Sequence, residues 1–193
     1  MKTIFVDKVA SVAQHNNLGY ELRVSRDIPC NEGVLIAVKI LNNKSRYNQL
    51  ELISGRMSTL KEGDIIVGAL GHRDALLGYS GYLPANLEVG SLIQVLNMGG
   101  VMGICDSYNP DVGPPFDCEV LGVILEFPYL GQRVGLPARV GGFSFEQSIK
   151  LNFFDIHSLA TPPSPPPIIA ALSLSLFKFS PAPTLSLIHI SEP

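Results

Sequence analysis

Three times along the chain, one residue, two spacers and a glycine introduce a run of aliphatic residues. The clearest copies are Leu60-x-x-Gly63 before Asp64–Leu70 and Leu87-x-x-Gly90 before Ser91–Leu96. A fainter copy, Cys30-x-x-Gly33, precedes Val34–Leu41. With the glycines aligned, Ile36, Ile66 and Ile93 fall in register, each behind Leu35, Ile65 or Leu92. The glycines are 30 and 27 residues apart, enough for two strands and two turns per unit. After each run comes a turn-rich stretch, and in the two clear copies a return strand is expected at Leu76-Leu77-Gly78 and at Val101-Met102-Gly103. No long window repeats with the helical period. The expected fold is therefore all-β: a small closed or nearly closed β-barrel built from repeated hairpin units, with Ile36, Ile66, Ile93 and Val123 in its core.

The remaining strands read as Thr3–Ala13, Tyr20–Ser25, Asn48–Ile53 and Asp117–Phe127, with Arg133–Val140 as a final edge strand interrupted by Pro137. Val120–Leu125 is apolar on both faces, as in a strand buried on both sides. Between Cys105 and Cys118 the run SYNPDVGPPF has three prolines, a glycine and no cation, which makes it a stiff loop. All 18 glycines fall within the first 142 residues. Eight of the 15 prolines lie beyond Ala160, several in the polyproline-type run TPPSPPP. This change of chemistry divides the chain into a barrel domain over 1–142 and a Pro-rich, poorly ordered tail, with 143–184 as linker and 185–193 set apart for a reason given below.

Composition narrows the function classes. A net charge of −3 gives no electrostatic reason to expect nucleic acid or an anionic membrane as partner. Asp7 and Lys8 interrupt the first apolar run too early for a signal peptide, and no stretch is long enough for a membrane span. Three cysteines, an odd number, argue against a disulfide framework and for a cytoplasmic location. Phosphate-loop, serine-elbow, zinc-protease and dinucleotide motifs are missing, so no cofactor and no metal is expected.

Chemistry, if present, belongs to the loops after the three aliphatic runs: Asn42–Arg46, Gly71–Asp74 and Asn97–Gly100. Equivalent units would project all three from one rim. Lys44, Arg46, His72, Arg73 and Asn97 would then form a donor-rich rim for a small anionic ligand such as a carboxylate or phosphate. Ordinary hairpin tips account for the Asn, Gly and Asp equally well. Two other readings stay open. One is a small enzyme, or a metal or redox site, using His72, Arg73, Cys105 and Cys118, with Asp74 or Asp106 beside His72 as a general base. The other is a structural barrel that oligomerises through an edge strand at Arg133–Val140. Asp106, Asp111 and Asp117 lack the order of a calcium loop.

Through the Gly63-Asp64 hairpin entry and the repeated unit, residues 1–142 resemble small six-stranded, translation-factor-type β-barrels that sit before or between the catalytic domains of larger bacterial proteins. The resemblance implies a non-catalytic accessory or ligand-binding module, N-terminal in a longer protein whose missing C-terminal domain would be its partner. Pro166-Pro167-Ile168-Ile169-Ala170 is how a strand leading into a phosphate-binding loop often begins, so nucleotide binding is one expected property of that longer protein. The last nine residues, LSLIHISEP, resemble a translation of the transposase adapter used to prepare sequencing libraries. That resemblance implies a truncated metagenomic reading frame, with Leu185–Pro193 derived from the library.

Overall fold

The computed structural model describes residues 1–75, 78–128, 131 and 133–142. The expected linker and the adapter-like segment lie outside the described residues, as does the Leu76-Leu77 part of one expected return strand. The described residues form twelve strands: β1 (Lys2–Phe5), β2 (Lys8–Val9), β3 (Glu21–Ser25), β4 (Leu35–Ile40), β5 (Gln49–Glu51), β6 (Met57–Thr59), β7 (Ile65–Leu70), β8 (Tyr79–Tyr82), β9 (Leu92–Val95), β10 (Val101–Tyr108), β11 (Phe116–Glu126) and β12 (Leu136–Pro137). A 3-10 helix covers Ser11–Asn16.

The repeated unit is a structural unit. Gly33, Gly63 and Gly90 have φ of 80°, 92° and 92°, the left-handed region that glycine enters without a Cβ clash. In each copy the residue after the glycine donates its N–H three residues back, closing a turn: Val34 to Asn31, Asp64 to Lys61, Ser91 to Glu88. Each glycine N–H in turn donates to the end or middle of a neighbouring strand, at Leu70, Ile40 and Val120 respectively, over 2.7–2.9 Å. Leu60 and Leu87 are buried beneath their turns, and Cys30 packs partly buried against the same core.

The three runs so launched, β4, β7 and β9, join β10 and β11 in a circuit of pairings. β4 pairs with β7 and β11, β11 with β9, β9 with β10, and β10 returns to β7. All are antiparallel except β7 with β10, so β4 and β9 run one way and β7, β10 and β11 the other. The result is a nearly closed barrel of five strands. Its interior holds Val34, Ile36, Val38 and Ile40 from β4 and its approach, Ile66 and Leu70 from β7, Ile93 and Val95, Met102, and Phe116, Cys118, Val120 and Val123. Ile36, Ile66, Ile93 and Val123 are all fully buried, as expected. Val120 and Val123 both face inward despite their odd spacing because the ladder to β4 shifts register between Val120 and Gly122.

A second core lies outside the circuit. Leu35 and Ala37 of β4, Val67 and Ala69 of β7 and Ile124 point outward and are covered by Ile4, Val6, Val9, Ala13, Leu22, Val24 and Ala138. This is why Leu35–Val38 reads as a continuous apolar run: that part of β4 is buried on both faces.

Three local expectations change. Thr3–Ala13 is not one strand; the chain leaves β3 after Phe5, pairs with β7 over Lys8–Val9, and turns into the helix at Ser11. The Asp7 carboxylate accepting the Ile65 N–H at 2.8 Å fixes that change of partner. Met57–Thr59, unmarked by any aliphatic run, pairs with β5 as a separate hairpin. Arg133–Val140 is not an open edge: Pro137 pairs with Leu125, Ala138 donates to Ile124, and Leu35 donates to Ala138, so the segment is bonded on both sides.

Candidate functional site

The expectation that three loops share one rim fails on strand direction. β4 and β7 are antiparallel, so the loops that follow them leave that pair at opposite ends. The loop after β9 is committed elsewhere. Asn97 accepts the Val101 N–H through Oδ1 at 2.8 Å, Gly99 accepts the Val12 N–H, and Met98 accepts the Glu51 N–H. Asn97 therefore holds a turn. His72 is exposed and accepts the Leu83 N–H through Nδ1 at 3.4 Å, on the side that carries Val12, His15 and Glu32.

Lys44 and Arg73 nonetheless converge, and the residue that joins them is Tyr79 of β8, which no sequence motif marks. Tyr79 is 1% exposed. β8 pairs with the far half of β10, Tyr79 opposite Tyr108, and is held on its other side where Arg73 and Gly81 exchange backbone hydrogen bonds at 2.9 Å. The Lys44 ammonium donates to the Tyr79 hydroxyl. It also lies over two ring faces, 4.7 Å from the centroid of Tyr79 and 5.4 Å from that of Phe116. Tyr47 packs edge-on against Tyr79 with centroids 5.3 Å apart. The Arg73 guanidinium donates to the Leu96 carbonyl and lies against Gly78, beside Tyr79.

The proline-rich loop closes over this cluster. The Tyr79 hydroxyl lies 3.5 Å from the Pro114 carbonyl, and Arg46 donates to the Asp111 carbonyl at 3.1 Å. Between the two loops is a cavity of about 230 Å³ lined by Asn42, Lys44, Arg46, Val112 and Pro114. A larger cavity, about 740 Å³, lies away from this cluster, between β1, β3 and the Gly63 turn; it mixes Lys2, Arg26 and Lys39 with Glu119.

The electrostatics follow from burial. Loss of water lowers the Lys44 pKa from 10.5 to about 8, against a smaller opposite pull from Cys105. Burial, then the neighbouring Tyr47 and Cys105, push Tyr79 up to about 12, opposed by Arg73. Burial also raises the Cys105 thiol, so it offers Lys44 little negative charge near neutral pH. Among the described residues the only ion pair is Lys8 with Asp64, on another part of the surface. Among the described residues, Lys44, Arg46 and Arg73 thus have only neutral hydrogen-bond acceptors.

The four residues of the enzyme reading are not brought together. No two of His72, Arg73, Cys105 and Cys118 are hydrogen-bonded to each other. Both cysteines are free thiols, and Cys118 is sealed in the barrel core, where burial raises its pKa far above the ordinary thiol range. No group of three His, Cys, Asp or Glu side chains suited to a metal occurs among the described residues, and none of their helices is long and apolar enough to cross a membrane. Comparison with protein-family models, curated proteins and solved structures finds no match.

Proposed function

We propose that residues 1–142 act as a non-catalytic binding module whose ligand is a small anion, or the anionic end of a larger molecule, held between the Asn42–Arg46 loop and the proline-rich loop. The observation that carries this reading is the meeting of Lys44 and Arg73 at Tyr79, with Arg46 lining the cavity beside Lys44, all three with only neutral acceptors among the described residues. Lys44, partly removed from water, gains most from an incoming carboxylate or phosphate, and the exposed Arg46 can meet the same group from the solvent side. Arg46 keeps donors of its planar fork beyond the one given to Asp111, and the cavity it lines is large enough for a phosphate. His72 and Asn97, expected to share the task, are not part of it.

Titration with inorganic phosphate, followed by the backbone amide resonances, tests the reading. Saturable shifts should centre on Asn43–Arg46 and on Val112 and Gly113, and Arg46→Ala should weaken binding by about fivefold or more. Shifts scattered over the surface, or equal affinity in Arg46→Ala, would remove the site.

A further inference from the structure

An amine seated as Lys44 is seated has a use beyond attracting charge. Its nitrogen points at a phenol and two ring faces, no carboxylate among the described residues holds it in the ammonium form, and its loop borders an open cavity. We propose that Lys44 is a covalent acceptor site that takes carbonyl compounds bearing an anionic group, as an imine. The selectivity for an anionic group rests on the binding reading above, whereas the reactivity of the amine does not.

The step balances without an outside oxidant or reductant. The lone pair of the free amine attacks the carbonyl carbon, and the π pair of the C=O bond moves onto oxygen. The nitrogen loses both its protons, the oxygen gains them, and water leaves as the C=N bond forms. The Tyr79 hydroxyl, already the hydrogen-bond partner of Lys44, is placed to pass a proton from nitrogen to the departing oxygen. Its pKa near 12 keeps it a neutral O–H donor through the range in which the amine is free. Desolvation, which brings Lys44 to about 8, supplies a sizeable fraction of free amine near neutral pH, where an exposed lysine has almost none. The groups that face Lys44 are Tyr79 from β8, Phe116 from β11 and Cys105 from β10; Phe116 does not titrate, and neither the phenol nor the thiol is charged in that range.

The experiment uses the full chain at pH 8 with two probes, pyridoxal 5′-phosphate and its uncharged analogue pyridoxal. Borohydride traps the imine, and peptide mass mapping reports labelling of Lys2, Lys8, Lys39, Lys44 and Lys61 in the same sample. Lys44 should be labelled about tenfold faster than Lys2, Lys39 and Lys61. The phosphate-bearing probe should be favoured, with the preference lost when inorganic phosphate is added. Tyr79→Phe should keep the fold, which circular dichroism checks, and slow labelling of Lys44 without changing the other four. Selective labelling of Lys44 by both probes alike, untouched by phosphate, would support the acceptor site and remove the anion reading. Labelling of Lys44 no faster than Lys2 and Lys61 with either probe would overturn the acceptor site, even if the amide titration still showed phosphate bound.

Discussion

Lys44 shows how one side chain's environment can be assembled from parts that are distant in sequence. Its partners Tyr79, Cys105 and Phe116 come from three other strands, and none sits at a spacing that a motif search would use. The sequence exposed Lys44, Arg46 and Arg73 as loop cations, because turn residues surround them. It could not show that Tyr79 would be folded back between Lys44 and Arg73, since that depends on β8 pairing with the far half of β10. Nor could it show that Asn97 would be spent on its own turn. The lowered Lys44 pKa gives a test at this scale. Between about pH 8 and 10.5 the unfolded chain keeps a proton on Lys44 that the folded chain has lost, so stability rises with pH through that window. Below pH 8 both states are protonated and the folded state carries the whole penalty. The stability of the natural chain relative to Lys44→Met should therefore climb from pH 7 to pH 10 in denaturant titrations. The rise should be modest, because the ammonium is only partly removed from water. Tyr79, whose raised pKa lowers stability between about pH 10 and 12, lies beyond the range compared. A flat difference would mean that Lys44 is solvated in solution.

At the scale of elements, the repeated turn was legible because its chemistry is local. A left-handed glycine, a hydrogen bond three residues back and a side chain tucked beneath are all encoded within a few positions. A Cβ at Gly63 or Gly90 would meet nothing within 4 Å, and one at Gly33 would only reach Val140 at 4.0 Å. The cost of substitution there is conformational alone. Alanine at each of the three should lower stability by a similar amount, about 1–2 kcal/mol, measured by urea unfolding. A large cost at one and none at the others would show the units to be unequal. A closed or nearly closed barrel was expected from the repeat, but the place where the circuit closes was not legible, because it depends on a missing side chain. Gly68 lies on the inward face of β7 between Ile66 and Leu70, and a Cβ there would fall 2.4 Å from the Gly100 carbonyl and 2.5 Å from the Met102 Cε. The parallel pairing of Val101 and Met102 with Ala69 and Leu70 needs that space. Gly68→Val should separate β10 from β7 and destabilise by more than about 3 kcal/mol, with loss of amide protection at Ala69 and Gly71. Full protection of those two amides in the variant would show that the crossing tolerates a side chain.

For the molecule as a whole, the two cores share a wall. β4 sends Ile36, Val38 and Ile40 into the barrel and Leu35 and Ala37 into the outer core, and β7 and β11 divide their side chains in the same way. The N-terminal strands cover that outer core, and Ala138 completes it from the other end of the domain. Neither layer can lose its packing without exposing the back of the other, so residues 1–142 should unfold as one cooperative unit. The pairings are also distant in sequence: β11 contacts β3 and β4 across most of the domain. Such topology favours slow folding, in milliseconds to seconds, over the microseconds of helical bundles. Both described cores are filled by side chains between Ile4 and Ala138. A chain ending at Gly142 should then melt with the same single transition as the full chain, whether followed by tyrosine fluorescence near Lys44 or by far-ultraviolet circular dichroism. Ile36→Ala in the barrel and Leu35→Ala in the outer core, each expected to cost about 2–5 kcal/mol, should lower both signals together. Two separated transitions in either variant would mean that the outer layer is an independent unit, and a large drop in melting temperature on truncation would place part of the native packing beyond Gly142.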